Sequence, residues 1–314
     1  MIVSREHEVL SRLSQFGVRL TFEGDATTGS ISKTMFFRNE KGERFVLQRN
    51  SLDRDAESLE AECEFVEYLE ANGLPGIGAI RMDSKPFFRY KDNVYAIYPF
   101  VHGSGLDISN PTQIKEAFAG IGQFLSLSSL YSLKLGTWEN RWWSISRYPF
   151  EKNFQVHLEE SPYAEPIRAI YQTSRDKLFN RLITPAKQGL YKTGIIHSDF
   201  RPENLLFEDD TLKGIIDWTS AHHDAFVMEF ARPFLHLCQS LEQREELLNV
   251  ADNHLGFSQE EKKSAFYSPL LLELVEFMWV AGHKDSFGED EFKRELMDAI
   301  ERVAAAHDIC KEVS

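Results

Sequence analysis

Short runs of β-branched and aromatic residues dominate the first hundred positions of the chain. Such runs predict strands at Lys33–Arg38, Glu43–Arg49 and Asn93–Phe100. The polar segment Asn39–Gly42 has the composition of a hairpin turn between the first two strands. Between the second and third strands, apolar residues recur at spacings of three and four, which predicts an amphipathic helix over Asp55–Ala71. This part of the chain is therefore expected to form a small, β-rich lobe.

Helical periodicity prevails after Phe100. Asn110 and Pro111 are typical of a helix start, and a long helix is predicted over Ala164–Leu182. The most apolar run, Pro269–Gly282, is too short to span a membrane and includes two glutamates. We therefore expect it to be a buried helix of a large lobe.

Together these patterns predict the fold class α+β, with two lobes. Residues 1–100 form the small β-rich lobe, residues 98–105 a hinge, and residues 101–314 a larger, mostly helical lobe. A compact strand-rich segment, Gly194–Trp218, lies among the helices of the second lobe. An active site between the two lobes is the expectation for such a plan.

The balance of charges restricts the class of partner. The chain has 314 residues, with 35 Lys and Arg against 49 Asp and Glu, and a formal net charge of −14. Nucleic acid and anionic membranes repel a protein of this sign, so neither is expected as the main partner. Cys63, Cys238 and Cys310 are too few and too scattered for a disulfide framework or a CxxC metal site. Since the N-terminus has no signal-peptide pattern, we expect a cytoplasmic protein with reduced thiols.

The strand-rich segment carries the most informative polar residues. His197 and Asp199 are followed by Asn204 five residues after the aspartate, and by Asp217 18 residues after it. Apolar runs place Asp199 after one strand, Asn204 at the start of the next, and Asp217 at the end of a third. Phosphoryl transfer needs one carboxylate to orient the attacking hydroxyl, and a carboxylate with an amide oxygen to hold Mg²⁺. The three polar groups supply this set.

The motif HSDFRPEN followed by IIDW resembles the catalytic and metal-binding loops of the aminoglycoside phosphotransferase and choline kinase-like superfamily, which shares the protein-kinase-like fold. The resemblance implies that Asp199 is the catalytic base, or the residue that orients the acceptor hydroxyl. It also implies that Asn204 and Asp217 are the Mg²⁺ ligands. His197 is then expected to be a structural hydrogen-bonding residue, and Trp218 a packing residue.

The resemblance further implies an ATP site in the first lobe. Thr27–Thr34 stands where the family has its nucleotide loop, although it holds one glycine and an ordinary hairpin turn is the alternative. The hinge Tyr98–Phe100 is expected to bind adenine through its backbone and cover it with apolar side chains. The phosphate-contacting residues of the loop are expected to be Gly29, Ser30, Ser32 and Thr34.

A cation for the α- and β-phosphates is expected on the strand Glu43–Arg49, which has no lysine. Arg49 is our choice and Gln48 the alternative, since successive strand residues point to opposite faces. Glu62 is expected to orient that cation from the following helix. The competing helix acids are Glu57, Glu60 and Glu64.

The neighbouring sequence offers other motifs. His222, His223 and Asp224 lack a second ligand cluster for zinc, so we interpret them as a loop after the metal-binding aspartate. Asp224 is expected to support the catalytic loop or to meet the acceptor. Glu229 and Arg232 are predicted to form a structural ion pair. Ser198 stands where glycine is frequent, and this change is expected to be tolerated. For Trp138, Trp142 and Trp143, we prefer packing to stacking on a sugar as the interpretation.

The resemblance thus implies an ATP- and Mg²⁺-dependent phosphotransferase that phosphorylates a hydroxyl group of a small molecule. Aminoglycosides, choline or ethanolamine, homoserine and amino sugars are the candidate acceptors, and the acidic balance suits a cationic one. The alternative is a nucleotide-binding pseudokinase or regulatory module, favoured by the glycine-poor loop and the absent lysine. The intact Asp199, Asn204 and Asp217 argue against it. Protein kinase activity is a minor alternative, because no long activation loop or APE-like segment follows Asp217.

Overall fold

The chain divides into two compact units in the computed structural model. Unit 1 comprises Met1–Ser104 and Leu206–Ile216, and unit 2 comprises Gly105–Leu205 and Asp217–Ser314. The division predicted from sequence, at residue 100, kept the segment Leu206–Ile216 with the helical lobe, whereas the structure groups it with the first unit. The residues that the structure describes are 20–25, 33–50, 56–91, 93–132, 163–284 and 287–313, with Val9, Leu13 and Ile145.

Unit 1 is built on a five-stranded antiparallel sheet with the order β1-β2-β3-β5-β4. The hairpin between β2 and β3 closes at Asn39–Gly42 as predicted, where the Gly42 N–H donates to the Asn39 carbonyl. Gly42 has a φ of +87°, which glycine adopts without strain. The strands are β1 (Leu20–Asp25), β2 (Lys33–Asn39), β3 (Arg44–Asn50), β4 (Phe88–Tyr90) and β5 (Asn93–Pro99).

The two faces of this sheet have different surroundings. On β3 and β5, the residues Leu47, Tyr95 and Ile97 pack into a buried hydrophobic cluster that also includes Val9 and Leu13. We call this the cluster face. Because side chains alternate along a strand, the opposite face carries the intervening residues. On β3 and β5 these are Val46, Gln48, Ala96 and Tyr98, and the register pairs Val46 with Tyr98 and Gln48 with Ala96.

The helix predicted after β3 is present as α1 (Ala56–Ala71). Its apolar stripe is buried as predicted, with Leu59, Cys63, Val66 and Leu69 at most 2 % exposed. Beyond the helix, Pro75 and Ile77 hydrogen-bond through their backbone to Ile215, the last residue of a later strand, 211–215. These bonds explain why the segment Leu206–Ile216 belongs to unit 1. The remaining strands here are β6 (Ser104–Gly105), β8 (Leu205–Glu208) and β9 (Thr211–Ile215).

Unit 2 is mainly helical, with a two-stranded antiparallel sheet of β7 and β10. Buried phenylalanines form much of its core, and Phe118 lies within 6.5 Å of both Phe230 and Phe234, centroid to centroid. The elements are α2 (Pro111–Leu130), α3 (Glu165–Leu178), α4 (Thr184–Lys187), β7 (Thr193–Ile196), β10 (His222–Ala225), α5 (Ala231–His236), α6 (Leu241–Leu255), α7 (Gln259–Ala265), α8 (Ser268–Gly282) and α9 (Glu289–Glu312).

The long helix predicted over Ala164–Leu182 is present, as α3 continued by a π-helical stretch, Phe179–Ile183, and by α4. One sequence prediction for unit 2 needs correction. The segment His222–Asp224 is strand rather than loop, because β10 pairs with β7 in a contact that local periodicity does not reveal.

The apolar run near the C-terminus is a buried helix, as predicted. Among the described residues, the helical stretch Gln259–Gly282 is the one long and apolar enough to cross a membrane, and 78 % of its apolar window is buried inside the protein. The three cysteines are also buried, each as a thiol rather than in a disulfide. Burial raises the pKa of Cys63, Cys238 and Cys310 to about 12, which keeps them as neutral thiols.

Gly122 controls the packing of α2 against α6. A Cβ atom at this position would lie 2.3 Å from the carbonyl oxygen of Ala251, which is backbone and has little freedom to move. We therefore expect Gly122→Ala to lower the melting temperature by roughly 2–10 °C, because overpacking costs about 1–3 kcal/mol. Differential scanning calorimetry measures this shift. Gly282→Ala is the matched control, since nothing lies within 4 Å of its Cβ position, and equal melting temperatures for the two variants would contradict the packing argument.

Candidate active site

The loop that carries His197 and Asp199 leaves a buried strand of unit 2. This strand, β7, pairs with β10 in a register that places Ile196 opposite His222. The hydroxyl of Ser128, on α2, donates to the carbonyl of Ile195 at 2.7 Å. The strand that precedes the loop is thus held on one side by a sheet partner and on the other by a helix.

Asp199 and Asn204 lie in direct contact. The Asn204 Nδ2 donates to the Asp199 backbone carbonyl and to its Oδ2, both at 2.9 Å. Both side chains are nearly buried. A 3₁₀ turn, Pro202–Asn204, brings them together, and Pro202 favours an extended backbone at the preceding Arg201 (φ −107°, ψ 160°). The spacing of five residues in the motif is therefore the length of this turn.

Arg201 forms a two-point ion pair with the same aspartate. Its Nε lies 2.7 Å from Asp199 Oδ1 and its Nη2 donates to Oδ2 at 2.9 Å. Each carboxylate oxygen of Asp199 therefore has a guanidinium partner in this structure.

His197 stabilises the loop from a buried position. Its Nδ1 accepts the backbone N–H of Asp199 at 3.3 Å, and its ring packs edge-on against Phe200 and Trp218. His197 is fully buried, and Trp218 is 2 % exposed. This is the arrangement expected of a structural histidine and a packing tryptophan.

A buried carboxyl group clamps the start of the loop. Glu229, 1 % exposed, accepts the backbone N–H groups of His197 and Ser198. Ser198 has a φ of +65°, a left-handed conformation that costs a non-glycine residue about 1 kcal/mol. The serine is therefore accommodated at some strain. Burial raises the pKa of Glu229 to about 8, although the two N–H donors oppose the rise.

The predicted ion pair of Glu229 with Arg232 is wrong, because each residue has other partners. Arg232 pairs with Glu276 and, at 2.9 Å, with Glu273. Arg302 binds the second oxygen of Glu273 at 2.8 Å. The Arg232 Nε is buried without a hydrogen-bond partner, 3.9 Å from Asp199 Oδ1. Arg232 is thus an anchored cation beside the candidate catalytic carboxylate.

The predicted metal ligands have suitable donor atoms. The Asn204 amide nitrogen is directed to Asp199, which turns the amide oxygen away from that residue. Asp217 is exposed and accepts the Thr219 hydroxyl on Oδ1. Oxygen donors of this type suit Mg²⁺, with nucleotide oxygens and water completing the coordination shell. Within the described part of the chain, no group of three or more His, Cys, Asp and Glu forms a metal site.

Asp224 has a structural environment. Its Oδ2 accepts the backbone N–H of Ile145 at 2.7 Å, and its Oδ1 accepts that of Ala225 at 2.8 Å. The carboxylate is 1 % exposed and its His222 neighbour lies 3.6 Å away. It ties β10 to Ile145, which fits support of the loop better than contact with an acceptor.

The structure describes some of the residues that were predicted to bind the nucleotide in unit 1. Arg49 pairs with Tyr95 and thus lies on the cluster face, whereas Gln48 shares the opposite face with Tyr98. Arg49 and Tyr98 therefore do not line one surface. The Arg44 guanidinium carbon lies 3.9 Å from the centroid of the Phe100 ring, in a cation–π contact. Gly29, Ser30 and Ser32 lie outside the described residues, as do Trp138, Trp142 and Trp143.

Glu62 differs from its competitors on α1 by its burial. It is 7 % exposed, whereas Glu57 is exposed and Glu60 and Glu64 are half-buried. Glu60 is also engaged by Arg81 at 2.6 Å. Burial makes Glu62 the best placed of the four acids for an internal ion pair.

Sequence reasoning missed the roles of three charged residues: Arg201, Glu229 and Arg232. Arg201 stands inside the recognised motif, two residues after Asp199, and that position was the available signal. Glu229 and Arg232 find their partners across 31 to 44 residues, which no spacing rule reveals.

Comparison with known proteins gives a consistent family and fold. Residues 26–259 match the model of the phosphotransferase enzyme family, APH. A search of curated protein sequences finds no significant match. The family is the one that the HSDFRPEN and IIDW motifs indicated, and the α+β, kinase-like fold class is confirmed.

Solved structures resemble the chain over nearly its whole length at low identity. A microcompartment-associated aminopropanol kinase has a TM-score of 0.73 and 13 % identity, with 98 % of each chain covered. An amicoumacin kinase in complex with AMP-PNP and Ca²⁺ has a TM-score of 0.69 and 13 % identity, covering 97 % of this chain and 93 % of its own. A spectinomycin phosphotransferase in complex with ADP and its antibiotic has a TM-score of 0.64 and 12 % identity, covering 98 % and 97 %.

The Glu229 clamp predicts a pH dependence of stability. The pKa of this carboxyl is about 8 in the folded protein and 4.5 ordinarily. Between these values the folded protein keeps a proton that the unfolded chain has lost. The resulting contribution to stability is complete below pH 4.5 and is lost as the pH rises through 8. Glu229→Gln removes the titration. We expect the melting temperature of the wild type, relative to that of the variant, to fall between pH 5 and 9. Calorimetry across this range measures it, with exposed Glu245→Gln as the control, and parallel curves for wild type and Glu229→Gln would refute the assignment.

Proposed function

The chain belongs to the phosphotransferase enzyme family APH, and on that premise we propose that it is an ATP- and Mg²⁺-dependent kinase of a small-molecule hydroxyl. Its membership makes it a phosphotransferase with an alcohol group as acceptor. The relatives solved with AMP-PNP or ADP support ATP as the phosphoryl donor.

The contact between Asp199 and Asn204 carries the proposal. The asparagine amide fixes the aspartate side chain while keeping its own oxygen available for a cation. A loop that needed these residues only for its turn would not require the clamp from Glu229 or the strained Ser198. Strain held by surrounding structure is typical of functional sites.

The reaction follows from the chemistry of these groups. The acceptor hydroxyl donates to the Asp199 carboxylate, which orients its oxygen toward the γ-phosphorus and receives its proton as the new P–O bond forms. Asn204 and Asp217 would hold Mg²⁺, which when bound neutralises charge on the phosphate oxygens. His197 and Glu229 act on the backbone of the loop and keep Asp199 in position.

For the nucleotide, the faces of the sheet suggest a revised assignment. We infer that ATP lies on the face of β3 and β5 that carries Gln48 and Tyr98, with adenine at the hinge Tyr98–Phe100 and phosphates at the loop of Gly29, Ser30 and Ser32. Gln48 then replaces Arg49 as the strand residue near the phosphates, since Arg49 lies on the cluster face. Gln48 offers an amide hydrogen bond without a charge.

The acceptor is proposed to be an amino alcohol or amino sugar. The similar structures include a kinase of aminopropanol and a phosphotransferase of spectinomycin, and a net charge of −14 favours a cationic small molecule. A pseudokinase without turnover is the second candidate, and the uncharged Gln48 is the observation in its favour. The intact Asp199, Asn204 and Asp217 favour the enzyme.

Turnover on a panel of acceptors tests the function. The wild type is expected to consume ATP in the presence of Mg²⁺ and at least one of a set of amino alcohols, amino sugars, aminoglycosides, choline and homoserine. Asp199→Asn should reduce kcat by at least about 100-fold, because the hydroxyl loses its proton acceptor. Asp209→Asn, at a turn with φ of +53° that asparagine tolerates, is the control. ATP binding without turnover on any compound would leave the pseudokinase as the correct function.

The pair Gln48→Ala and Arg49→Ala tests the nucleotide face. Gln48→Ala is expected to raise the KM for ATP about tenfold, the effect of losing one hydrogen bond. Arg49→Ala should leave this KM within about twofold, since the side chain starts from the other face of β3. Steady-state kinetics at varied ATP measures both. The opposite result would return the phosphate contact to Arg49.

A further inference from the structure

Unit 2 contains a cavity of about 280 Å³ that shares no described lining residue with the candidate active site. It lies where α3 packs against α9, next to the start of α8. Its volume is close to the lower limit of ordinary ligand sites, so it suits a molecule smaller than a nucleotide. The side chains on which the argument depends come from α3, from the residue before α8, and from α9: Thr173, Lys177, Tyr267, His307, Cys310 and Lys311.

Three of the side chains that line this cavity are basic. Lys177 comes from α3, while His307 and Lys311 lie one turn apart on α9. The described residues that line the cavity include no acid, in a chain with 49 Asp and Glu against 35 Lys and Arg. Asp308 pairs with Lys311 at 2.9 Å but is not among the described lining residues. The lining therefore has the opposite sign to the chain as a whole.

The basic groups lie close enough to act on one another. Burial lowers the pKa of His307, and the charges of Lys311 and Lys177 lower it further, while Asp308 acts in the opposite direction. Lys177 also acts on the thiol of Cys310, where its charge opposes the effect of burial. Two lysines from different helices thus act on one imidazole, and an anion between them would reduce their repulsion.

The inner wall of the cavity suits the uncharged part of an organic ligand. Tyr267 and Cys310 are 6 % and 4 % exposed, whereas Lys177 and Lys311 are exposed at the rim. Burial raises the pKa of both Tyr267 and Cys310, so they remain a neutral phenol and a neutral thiol. A phenol O–H donates a hydrogen bond without adding negative charge.

The backbone beside the cavity departs from α-helical geometry. The π-helical stretch Phe179–Ile183 begins two residues after Lys177. Within it, the carbonyl of Arg181 accepts the hydroxyls of Tyr191 and Ser264, so neighbouring elements hold the stretch in place. π-helical turns are rare and occur frequently at functional sites. This is a second indication, independent of charge, that the region has a function.

From these observations we propose that the cavity between α3 and α9 binds a small organic phosphate. Lys177 and Lys311 pair with the phosphate oxygens from two sides, His307 donates a ring N–H to the same group, and the organic part lies against Tyr267 and Cys310. A phosphate monoester carries about 1.5 to 2 negative charges at pH 7, which matches two lysines better than a single carboxylate does. Lysine binds phosphate as a point charge, so cations from two helices can share one phosphate.

Isothermal titration calorimetry with glycerol 3-phosphate tests the site. The wild type is expected to bind it with a Kd between about 10 μM and 1 mM, the range of a small ligand with one charged group. Lys177→Ala and Lys311→Ala should each weaken binding about fivefold or more, because each removes a charge-assisted contact. Lys115→Ala, which removes an exposed lysine on α2, is the matched control and should leave the Kd unchanged. Glycerol, which has no phosphate, should not bind.

Nuclear magnetic resonance of the histidine rings locates the ligand. Bound glycerol 3-phosphate should raise the pKa of His307, because a nearby dianion favours the imidazolium. The described groups that face this ring include none whose ordinary pKa lies between about 5 and 8, so the change reports the ligand. They are Lys177, Tyr267, Asp308, Cys310 and Lys311. His307→Gln identifies the signal by removing it.

Other results would overturn the inference. Absence of binding up to about 10 mM glycerol 3-phosphate, or equal binding by the wild type and both lysine variants, would exclude the site. Inorganic phosphate or succinate bound as tightly would exclude an organic phosphate as its ligand. Binding that leaves the His307 signal unchanged would place the ligand elsewhere. None of these measurements involves ATP or an acceptor, so a failure here leaves the proposed function unaffected.

Discussion

The hydrogen bonds from the backbone N–H groups of His197 and Ser198 to the Glu229 carboxyl group are the constraint on which the rest of the candidate site depends. A buried polar group is costly unless it is hydrogen-bonded, and here the backbone N–H groups satisfy the carboxyl oxygens. The same bonds hold Ser198 in its left-handed conformation. With Ser198 in this conformation, the Asp199 N–H donates to the ring of His197. The position of the candidate catalytic carboxylate is thus set by a side chain 30 residues away.

A second set of charges connects Asp199 to the C-terminal helices. Glu273, on α8, binds Arg232 on one oxygen and Arg302, on α9, on the other. Buried charges of this kind add little net stability, because desolvation offsets their attraction, but removing one partner leaves the others uncompensated. Their effect is to fix where Arg232 lies. Arg201 pairs with Asp199 alone among the described residues, so the two cations beside this aspartate are held by different acids.

Local sequence rules were sufficient for features that depend on local structure. The stripe on α1, the hairpin at Asn39–Gly42 and the contact of Asp199 with Asn204 all follow from spacings of two to five residues. β10 was missed because its partner strand precedes it by about 30 residues. The choice between Arg49 and Gln48 depends on which face of the sheet is covered, and alternation along a strand separates the two faces without identifying the covered one.

Because the chain is acidic overall, the cations and N–H groups close to the candidate site matter more for binding ATP. A protein with a net charge of −14 repels ATP at a distance, so its affinity for a polyanion must come from a few cations and N–H groups near the site. Arg201 and Arg232 lie next to Asp199, and each is paired with acids. Such pairing reduces the repulsion that the proposed cationic acceptor would meet as it approaches Asp199.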